Sequence, residues 1–493
     1  MGAARPDGPG AAGRATRAAV RVFWLWPALL TLGLGLARLG RPALWADELA
    51  TWGTVRLSWG GLFRLLDHAD AVIGPYYVVE KAWTALAGTS TVALRLPSVL
   101  AMAVAAALVA TLGARLGGSR WPGLLAGLGF ALVPATSRYA QEARPYSFTI
   151  LFAVLASLLL AGLLERPATG RAARYGLVIL LLGAAHLVGV LLLVGHAVAV
   201  LPRRDRGLLV RWLAAAGVAV LILAPLAWLG HRQRAQVAWI GPAHWRTLIG
   251  APAVIFGDAG VGGALVVLAV LGLAALGLAR TARGGSRPAI LLGGWAIGPV
   301  AALYVAGTLT PAFFPRYLLY TMPASVLLAA IFLGRTGRYR AVAALAVVGL
   351  LGAPAQASIR GPAGHNHDTA GAAAIIAAGD RPGDAIVYAL HEPVVPWEAR
   401  DIVARYVPAD RRPRDVFAVT PQRVDGRLTA IECPDLAGCL AAAEPDRIWV
   451  LRYQSRPDPL DGIGEPKESL LRSHYRLAHV WLVRGLTVGL LTR

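Results

Sequence analysis

The sequence predicts an α-helical polytopic membrane protein of about eleven transmembrane helices, followed by a small extracytoplasmic α/β domain. Three observations lead there. Of 493 residues, 56% are hydrophobic and only 15% are charged, against roughly 25% charged in a typical soluble domain. The charge is uneven: residues 1–353 hold 10 Asp/Glu and 31 Lys/Arg, whereas residues 354–493 hold 17 of each, so the whole net charge of +21 belongs to the first part. The basic residues also fall in short clusters between apolar runs. These features exclude a single soluble globule and a disordered chain. They argue against a nucleic-acid partner, which would need a basic polar face. The 46 Arg against 2 Lys, with abundant Ala and Gly, fit a GC-rich bacterial coding sequence.

An apolar stretch of about 20 residues crosses a bilayer as a helix. The candidates are 22–38, 92–113, 121–135, 146–164, 207–229, 261–279, 289–306, 316–333 and 341–353, with 175–201 ambiguous. The basic stretch 1–21 resembles the start of a signal peptide but is read here as a cytoplasmic tail before an uncleaved first span. Arg5, Arg14, Arg17 and Arg21 put that tail inside by the positive-inside rule. Later clusters lie at Arg115/Arg120, Arg166/Arg171/Arg174, Arg203/Arg204/Arg206/Arg211, Arg280/Arg283/Arg287 and Arg335/Arg338/Arg340. If 175–201 crosses once, every later cluster changes side. If it forms two short legs turning near Gly183, His186 and Gly189, every cluster is inside and the terminal domain is outside. Legs of roughly 20 Å need cover from neighbouring helices; the alternative is one long tilted helix.

This topology gives three outer loops: 39–91, 136–145 and 307–315. In the first, Trp52, Trp59, Leu62, Phe63 and Leu66 suit a helix lying on the membrane surface. The last part of the chain, 354–493, forms the extracytoplasmic domain. Ala370–Ala378 reads as a helix ended by Gly379, and Asp384–Leu390, Arg447–Tyr453 and Ala478–Val483 read as buried strands, a layered α/β pattern. Cys433 and Cys439 would close a small disulfide loop in an oxidising compartment; the alternative is two isolated small side chains.

Seven of the ten acids in 1–353 fall on the outer side: Asp47, Glu48, Asp67, Asp70, Glu80, Glu142 and Asp258. Each alone fits an ordinary polar loop. Their clustering beside Trp45, Trp52, Tyr76 and Tyr77 points to a site, because a carboxylate at a lipid interface is costly to desolvate. On the same face lie Arg138, Arg144 and Arg316, against the positive-inside bias. A guanidinium fork there suits a lipid-linked phosphate, although headgroup snorkelling or a loop ion pair with Glu142 would also explain it. A carboxylate facing phosphate-binding arginines suits glycosyl transfer: the arginines stabilise the departing phosphate and the carboxylate takes the acceptor's proton. No cofactor is assigned. A hard divalent ion would suit the carboxylates, with Asp70 and His68 as the candidate ligands.

Four segments resemble motifs of the GT-C superfamily of polytopic glycosyltransferases. They are Leu44-Trp45-Ala46-Asp47-Glu48-Leu49-Ala50-Thr51; His68-Ala69-Asp70-Ala71 followed by Pro75-Tyr76-Tyr77; Arg138-Tyr139-Ala140-Gln141-Glu142-Ala143-Arg144-Pro145-Tyr146; and Pro315-Arg316-Tyr317-Leu318. The nearest branch groups protein O-mannosyltransferases with the aminoarabinose transferases of lipid A, glycosyltransferase family 39-like and of actinobacterial type. The resemblance covers roughly residues 20–353, and the terminal domain more faintly. It implies a polyprenyl-phosphate sugar donor, commonly mannose, used outside the cytoplasm. It makes Asp47 the base and Glu48 its catalytic neighbour. The stacked His-Pro-Pro of many relatives is absent; Val72-Ile73-Gly74-Pro75 stands there.

The expectation is therefore an inverting membrane glycosyltransferase. Asp47 and Glu48 are catalytic. Arg138, Tyr139, Arg144 and Arg316 bind donor phosphate. His68, Asp70, Tyr76, Tyr77 and Glu142 support them or meet a glycan, lipid or protein acceptor. A flippase of lipid-linked substrates would place its charges near the bilayer midplane in broken helices. A catalytically lapsed lipid-binding scaffold is the third reading.

Overall fold

The computed structural model describes residues 22–283, 287–389, 392 and 394–493. Arg5, Arg14, Arg17 and Arg21, and the side chains of Arg280, Arg283 and Arg287, lie outside the described part. Apolar α1 (Leu25–Leu36) leads into a long excursion that is itself helical: α2 (Ala46–Val55), α3 (Trp59–His68) and α4 (Gly74–Ala87). Ser58 caps α3 by accepting from Gly61 N (3.0 Å), and Ser90 caps the next helix by accepting from Ala93 N (3.1 Å). The bundle continues with α5 (Thr91–Gly117), α6 (Arg120–Leu132), α7 (Pro134–Ala140), α8 (Tyr146–Glu165), α9 (Thr169–Ala185), α10 (Leu192–Val200), α11 (Arg206–Arg232), α12 (Trp245–Phe256), α13 (Ala259–Arg283), α14 (Arg287–Leu309), α15 (Met322–Leu333) and α16 (Arg338–Ile359). Among the described residues, seven helices are long and apolar enough to cross a membrane. Every expected span is helical over most of its length. The last runs on to Ile359 rather than stopping at 353, because its end is tied to the bundle: Gln356 Nε2 donates to Leu132 O (3.3 Å) and Arg360 Nη2 to Leu34 O (2.7 Å).

The ambiguous stretch is a hairpin. A 3₁₀ segment at Leu187–Leu191 separates α9 from α10, and the Tyr175 hydroxyl meets His196 Nδ1 at 2.9 Å. Along a straight helix those residues would stand about 30 Å apart. His196 Nε2 also meets Ser157 Oγ (3.0 Å), and Trp212 Nε1 donates to the Tyr175 hydroxyl (3.2 Å). These buried bonds cover the short legs. Three arginine clusters consequently gather at one end: Arg115 bonds Glu165 (2.7 Å), Arg171 donates to Gly162 O (2.8 Å) and Arg203 to Leu164 O (3.2 Å).

The terminal domain follows Ile359. It contains α17 (Thr369–Gly379), β1 (Ala385–Tyr388), α18 (Glu398–Tyr406), β2 (Arg414–Asp415), β3 (Ala418–Thr420), β4 (Ile431–Glu432), α19 (Leu436–Ala443), β5 (Arg447–Tyr453), α20 (Lys467–His474), β6 (Arg476–Val483) and β7 (Leu486–Thr492). Its main sheet runs β2-β1-β5-β7-β6, parallel across β2-β1-β5 and antiparallel thereafter. The expectation that Ala478–Val483 is a buried strand is corrected: β6 is a largely exposed edge strand, and the covered strand is β7. The end of the expected strand Asp384–Leu390 lies outside the described residues. Cys433 and Cys439 are joined in a disulfide.

The excursion 39–91 is not a surface loop. Residues Leu44, Leu49, Trp52 and Val55 share one apolar cluster with Ala372, Ile376, Ile402 and Val403 of the terminal domain. Trp52 is therefore covered by protein, correcting its expected place at the lipid surface, whereas Trp59 and Phe63 stay exposed and Leu62 is buried against Ile73, Tyr76 and Tyr77. Four hydrogen bonds fasten the two parts: Ala43 N to Pro362 O (2.9 Å), Leu44 N to the Tyr406 hydroxyl (2.7 Å), Thr369 Oγ1 to Leu44 O (2.8 Å) and Trp397 Nε1 to Ala46 O (2.8 Å).

Candidate active site

Helix α2 begins immediately under this seam, so its first turn faces both the bundle and a cavity between bundle and terminal domain. The cavity encloses about 770 Å³. Asp47 lines it and Glu48 does not, because neighbouring residues on a helix point about 100° apart.

Asp47 Oδ2 lies 3.0 Å from Arg316 Nη2 and 3.9 Å from Arg144 Nε. Arg316 reaches it from the 3₁₀ turn Pro315–Thr321, and Arg144 from the bend after α7. The Arg316 guanidinium is bracketed by the rings of Trp45 (5.1 Å), Phe314 (5.1 Å) and Tyr146 (5.5 Å), a cation–π setting that supports the guanidinium in addition to its Asp47 contact. Arg144 Nη1 donates to the Tyr77 hydroxyl (3.0 Å), which donates to Asp70 Oδ2 (2.8 Å). Arg144 and Asp70, which both line the cavity, are thereby linked through Tyr77. Asp70 takes a left-handed backbone, φ +55°, where Gln236 Oε1 accepts from its N–H (3.1 Å).

Glu48 belongs to a sealed knot. Its two carboxylate oxygens accept from Arg95 Nε (2.7 Å) and Nη2 (2.7 Å), and Oε1 also accepts from Ala143 N (3.0 Å). Arg95 further donates to Leu39 O, Pro42 O and Ala43 O at 2.8, 2.9 and 3.2 Å and to His365 Nδ1 (3.0 Å). Burial opposes the charge on Glu48, but Arg95 outweighs it and holds the carboxyl below the usual carboxylate range. Burial instead pushes Glu142 up, against the pull of Arg138 and Arg316.

Of the predicted phosphate-binding arginines, Arg144 and Arg316 line the cavity. Arg138 turns to Glu142 (2.6 Å) and lies over the rings of Trp45 and Tyr139, each at 5.6 Å. Tyr139 packs edge-on to Tyr146 (5.3 Å). Tyr76 sits behind the wall against Phe148. His68 lines the cavity, but its Nδ1 bonds Arg64 O (2.9 Å). As a metal site the Asp70–His68 pair does not fit: among the described residues no group of three or more His, Cys, Asp or Glu converges, and the Asp70 carboxylate already accepts from Tyr77.

Sequence reasoning missed Arg95, His365, Tyr146, His186 and the terminal-domain wall. Arg95 had a signal, since an arginine inside the apolar span 92–113 is costly unless paired. The cavity residues Asn366, His367, Trp397 and Tyr453 had none, because nothing local in a soluble α/β pattern says which edge meets the bundle.

A helical bundle with seven helices long and apolar enough to cross a membrane among the described residues, a cavity lined in part by the excursion 39–91 and a small sheet domain closing it together make the GT-C fold. Comparison with solved structures bears it out. The aminoarabinose transferase ArnT from Cupriavidus metallidurans, bound to undecaprenyl phosphate, is 15% identical with a TM-score of 0.57, over 95% of this chain and 97% of that one. Its apo structure is also 15% identical, with a TM-score of 0.54 over 97% and 98%. The Archaeoglobus fulgidus oligosaccharyltransferase in the apo form is 12% identical, with a TM-score of 0.51 over 87% of this chain and 69% of that one. At such identities the likeness is one of fold. No family model matches the sequence, and no curated protein does.

Proposed function

We propose that the chain is a membrane glycosyltransferase that moves a sugar from a polyprenyl-phosphate donor to an extracytoplasmic acceptor with inversion, Asp47 acting as general base. The observation that carries this reading is the 3.0 Å contact of Asp47 with Arg316 inside the cavity. In the free protein the two pair with each other, so the carboxylate is occupied. A donor phosphate competes for the same guanidinium and that of Arg144. Once Arg316 turns to phosphate, the carboxylate is released to take the acceptor's proton. The acceptor oxygen then bonds to the anomeric carbon from the face opposite the phosphate. The carbon–oxygen bond to phosphate breaks with its electron pair, and the two arginines stabilise the polyprenyl phosphate that leaves. Glu48 acts by position, since its oxygens are engaged by Arg95 and Ala143.

The sugar would be mannose or another hexose or pentose, and the acceptor a glycan, lipid or protein. An extracytoplasmic site is supported by the gathering of three arginine clusters away from it and by the Cys433–Cys439 disulfide, with a cytoplasmic N-terminus and the cell membrane as its place. The resemblance of the fold to ArnT bound to undecaprenyl phosphate supports a lipid-phosphate donor.

The test is Asp47→Asn assayed with a radiolabelled polyprenyl-phosphate sugar. Transfer should fall by about 10²–10⁴-fold while the variant still folds in membranes and binds polyprenyl phosphate. Wild-type rates in that variant would end the assignment. Wild-type protein that translocates the labelled lipid without transfer would favour a flippase.

A further inference from the structure

The terminal domain is part of the cavity wall, and one of its side chains there is held as a working group would be. His367 lines the cavity. Its Nδ1 bonds Glu398 Oε1 on the first turn of α18. Glu398 is 1% exposed, and its other oxygen, Oε2, is buried with no partner among the described residues. A carboxylate on Nδ1 makes that nitrogen the donor and leaves a lone pair on Nε2. Among the described residues Nε2 makes no hydrogen bond.

Two further contacts fix the ring. Tyr453 packs against it at 5.4 Å between centroids. Gly485, at φ +77°, lies so close that a Cβ there would fall 2.5 Å from His367 Cδ2. A histidine serving only to tie the 365–368 segment to α18 would need the Glu398 bond alone. That role alone would not call for a cavity-lining position with Nε2 left unbonded among the described residues.

Resting on the glycosyltransferase reading above, we infer that His367 is an acceptor-positioning residue, and that the acceptor is a sugar rather than a serine or threonine side chain. An attacking hydroxyl has one proton, and that proton goes to Asp47. Nε2 therefore takes its hydrogen bond from a second donor group on the acceptor, which the further hydroxyls of a sugar supply and a lone serine or threonine side chain does not. The neighbouring rings of Trp397 and Tyr453, on the same wall, suit the apolar face of a sugar ring, and Asn366 adds a further polar group.

The experiment uses the full-length protein in nanodiscs, a synthetic polyprenyl-phosphate hexose, and two kinds of probe acceptor: octyl glycosides (glucoside, galactoside, mannoside) and N-acetylserine amide. Wild type should transfer to at least one glycoside and not to the serine amide. His367→Ala should raise the glycoside KM at least tenfold, leaving kcat and the Kd for polyprenyl phosphate within twofold. His367→Gln, whose amide oxygen can stand near Nε2, should recover part of the KM. An unchanged KM in His367→Ala, an equal loss of lipid-phosphate binding, or serine transfer indifferent to His367 would overturn the assignment. Glycoside binding is measured separately, without donor, by saturation-transfer NMR. If no transfer occurs at all but binding is lost in His367→Ala and kept in Asp47→Asn, the enzyme reading fails and the sugar site stands. Binding lost in neither variant removes the sugar site whatever the transfer result.

Discussion

Asp47 and Glu48 follow one another on a single helical turn and meet opposite surroundings. Asp47 faces a cavity and pairs with guanidinium groups that are otherwise set against aromatic rings and a tyrosine hydroxyl. Those arginines are free to exchange one anion for another. Glu48 faces an interior in which both its oxygens and nearly every N–H of Arg95 are engaged. An acid in the first setting is suited to changing partner during a reaction. In the second it serves to fasten the loop 39–48, the bend at Ala143 and the base of the terminal domain to one arginine.

The largest effect expected from breaking this contrast, after loss of transfer in Asp47→Asn, is on stability at Glu48. Glu48→Gln leaves a fully buried Arg95 without its counter-charge, which costs about 3–5 kcal/mol, whereas Asp47→Asn should change stability by less than about 1 kcal/mol. Thermal unfolding of the purified proteins in detergent separates the two; equal melting temperatures would show that the knot contributes no more than the cavity pair. The pH dependence has a definite sign. The folded carboxyl of Glu48 titrates below its unfolded value of about 4.3. Its contribution is therefore present above that value and is lost only as pH falls through the depressed folded value.

A smaller effect is expected on the other side of α2. Arg423 of the terminal domain pairs with the buried Asp401 (Nη2 to Oδ2, 2.6 Å) and lies flat on Gly53, where a Cβ would stand 2.5 Å from its Cζ. Gly53→Ala must displace the guanidinium and so disturb its pairing with Asp401. The expected cost is about 1–3 kcal/mol, with limited proteolysis of the terminal domain rising before any change in the bundle. Because that domain walls the cavity, acceptor use should fall while polyprenyl-phosphate binding holds. Unchanged proteolysis would mean that the docking does not depend on this close approach.

Legibility in the sequence followed locality. The spans were readable because twenty apolar residues have one outcome in a bilayer. The hairpin at 175–201 was readable because arginine placement constrains parity, and the Tyr175–His196 bond agrees with it. Asp47 was readable as a carboxylate costly to desolvate beside an apolar span, and Arg144 and Arg316 as arginines on the side that the positive-inside bias disfavours. The split between Asp47 and Glu48 was not, since it depends on which face of α2 meets Arg95, a residue 47 positions away. Trp52 was misplaced for the same reason: an amphipathic face does not say whether lipid or a distant domain will cover it. His367 was invisible because its meaning comes from Glu398, Tyr453 and Gly485, which tertiary folding alone assembles.

The smallest effect concerns the knot's histidine and sharpens the comparison by titration. His365 Nδ1 lies between Arg95 Nη2 (3.0 Å) and Glu48 Oε2 (3.4 Å), and the ring is neutral. Burial, with Arg138 and Arg95 behind it, lowers its pKa to about 3 despite the opposing pull of Glu48. In the unfolded chain the same ring titrates near 6.5. Between those values the unfolded state binds a proton that the folded state refuses, so stability falls as pH falls. By pH 5.5 the loss from this group is about 1.4 kcal/mol. His365→Gln keeps a neutral acceptor for Arg95 and has no proton to gain. Its melting temperature should therefore decline less between pH 7 and 5.5 than that of the wild type. Asp47→Asn should leave the wild-type slope intact, because the cavity acid does not touch this ring. Parallel curves for wild type and His365→Gln would mean that His365 is protonated within the fold, and that the knot exchanges charge with its surroundings as the cavity does.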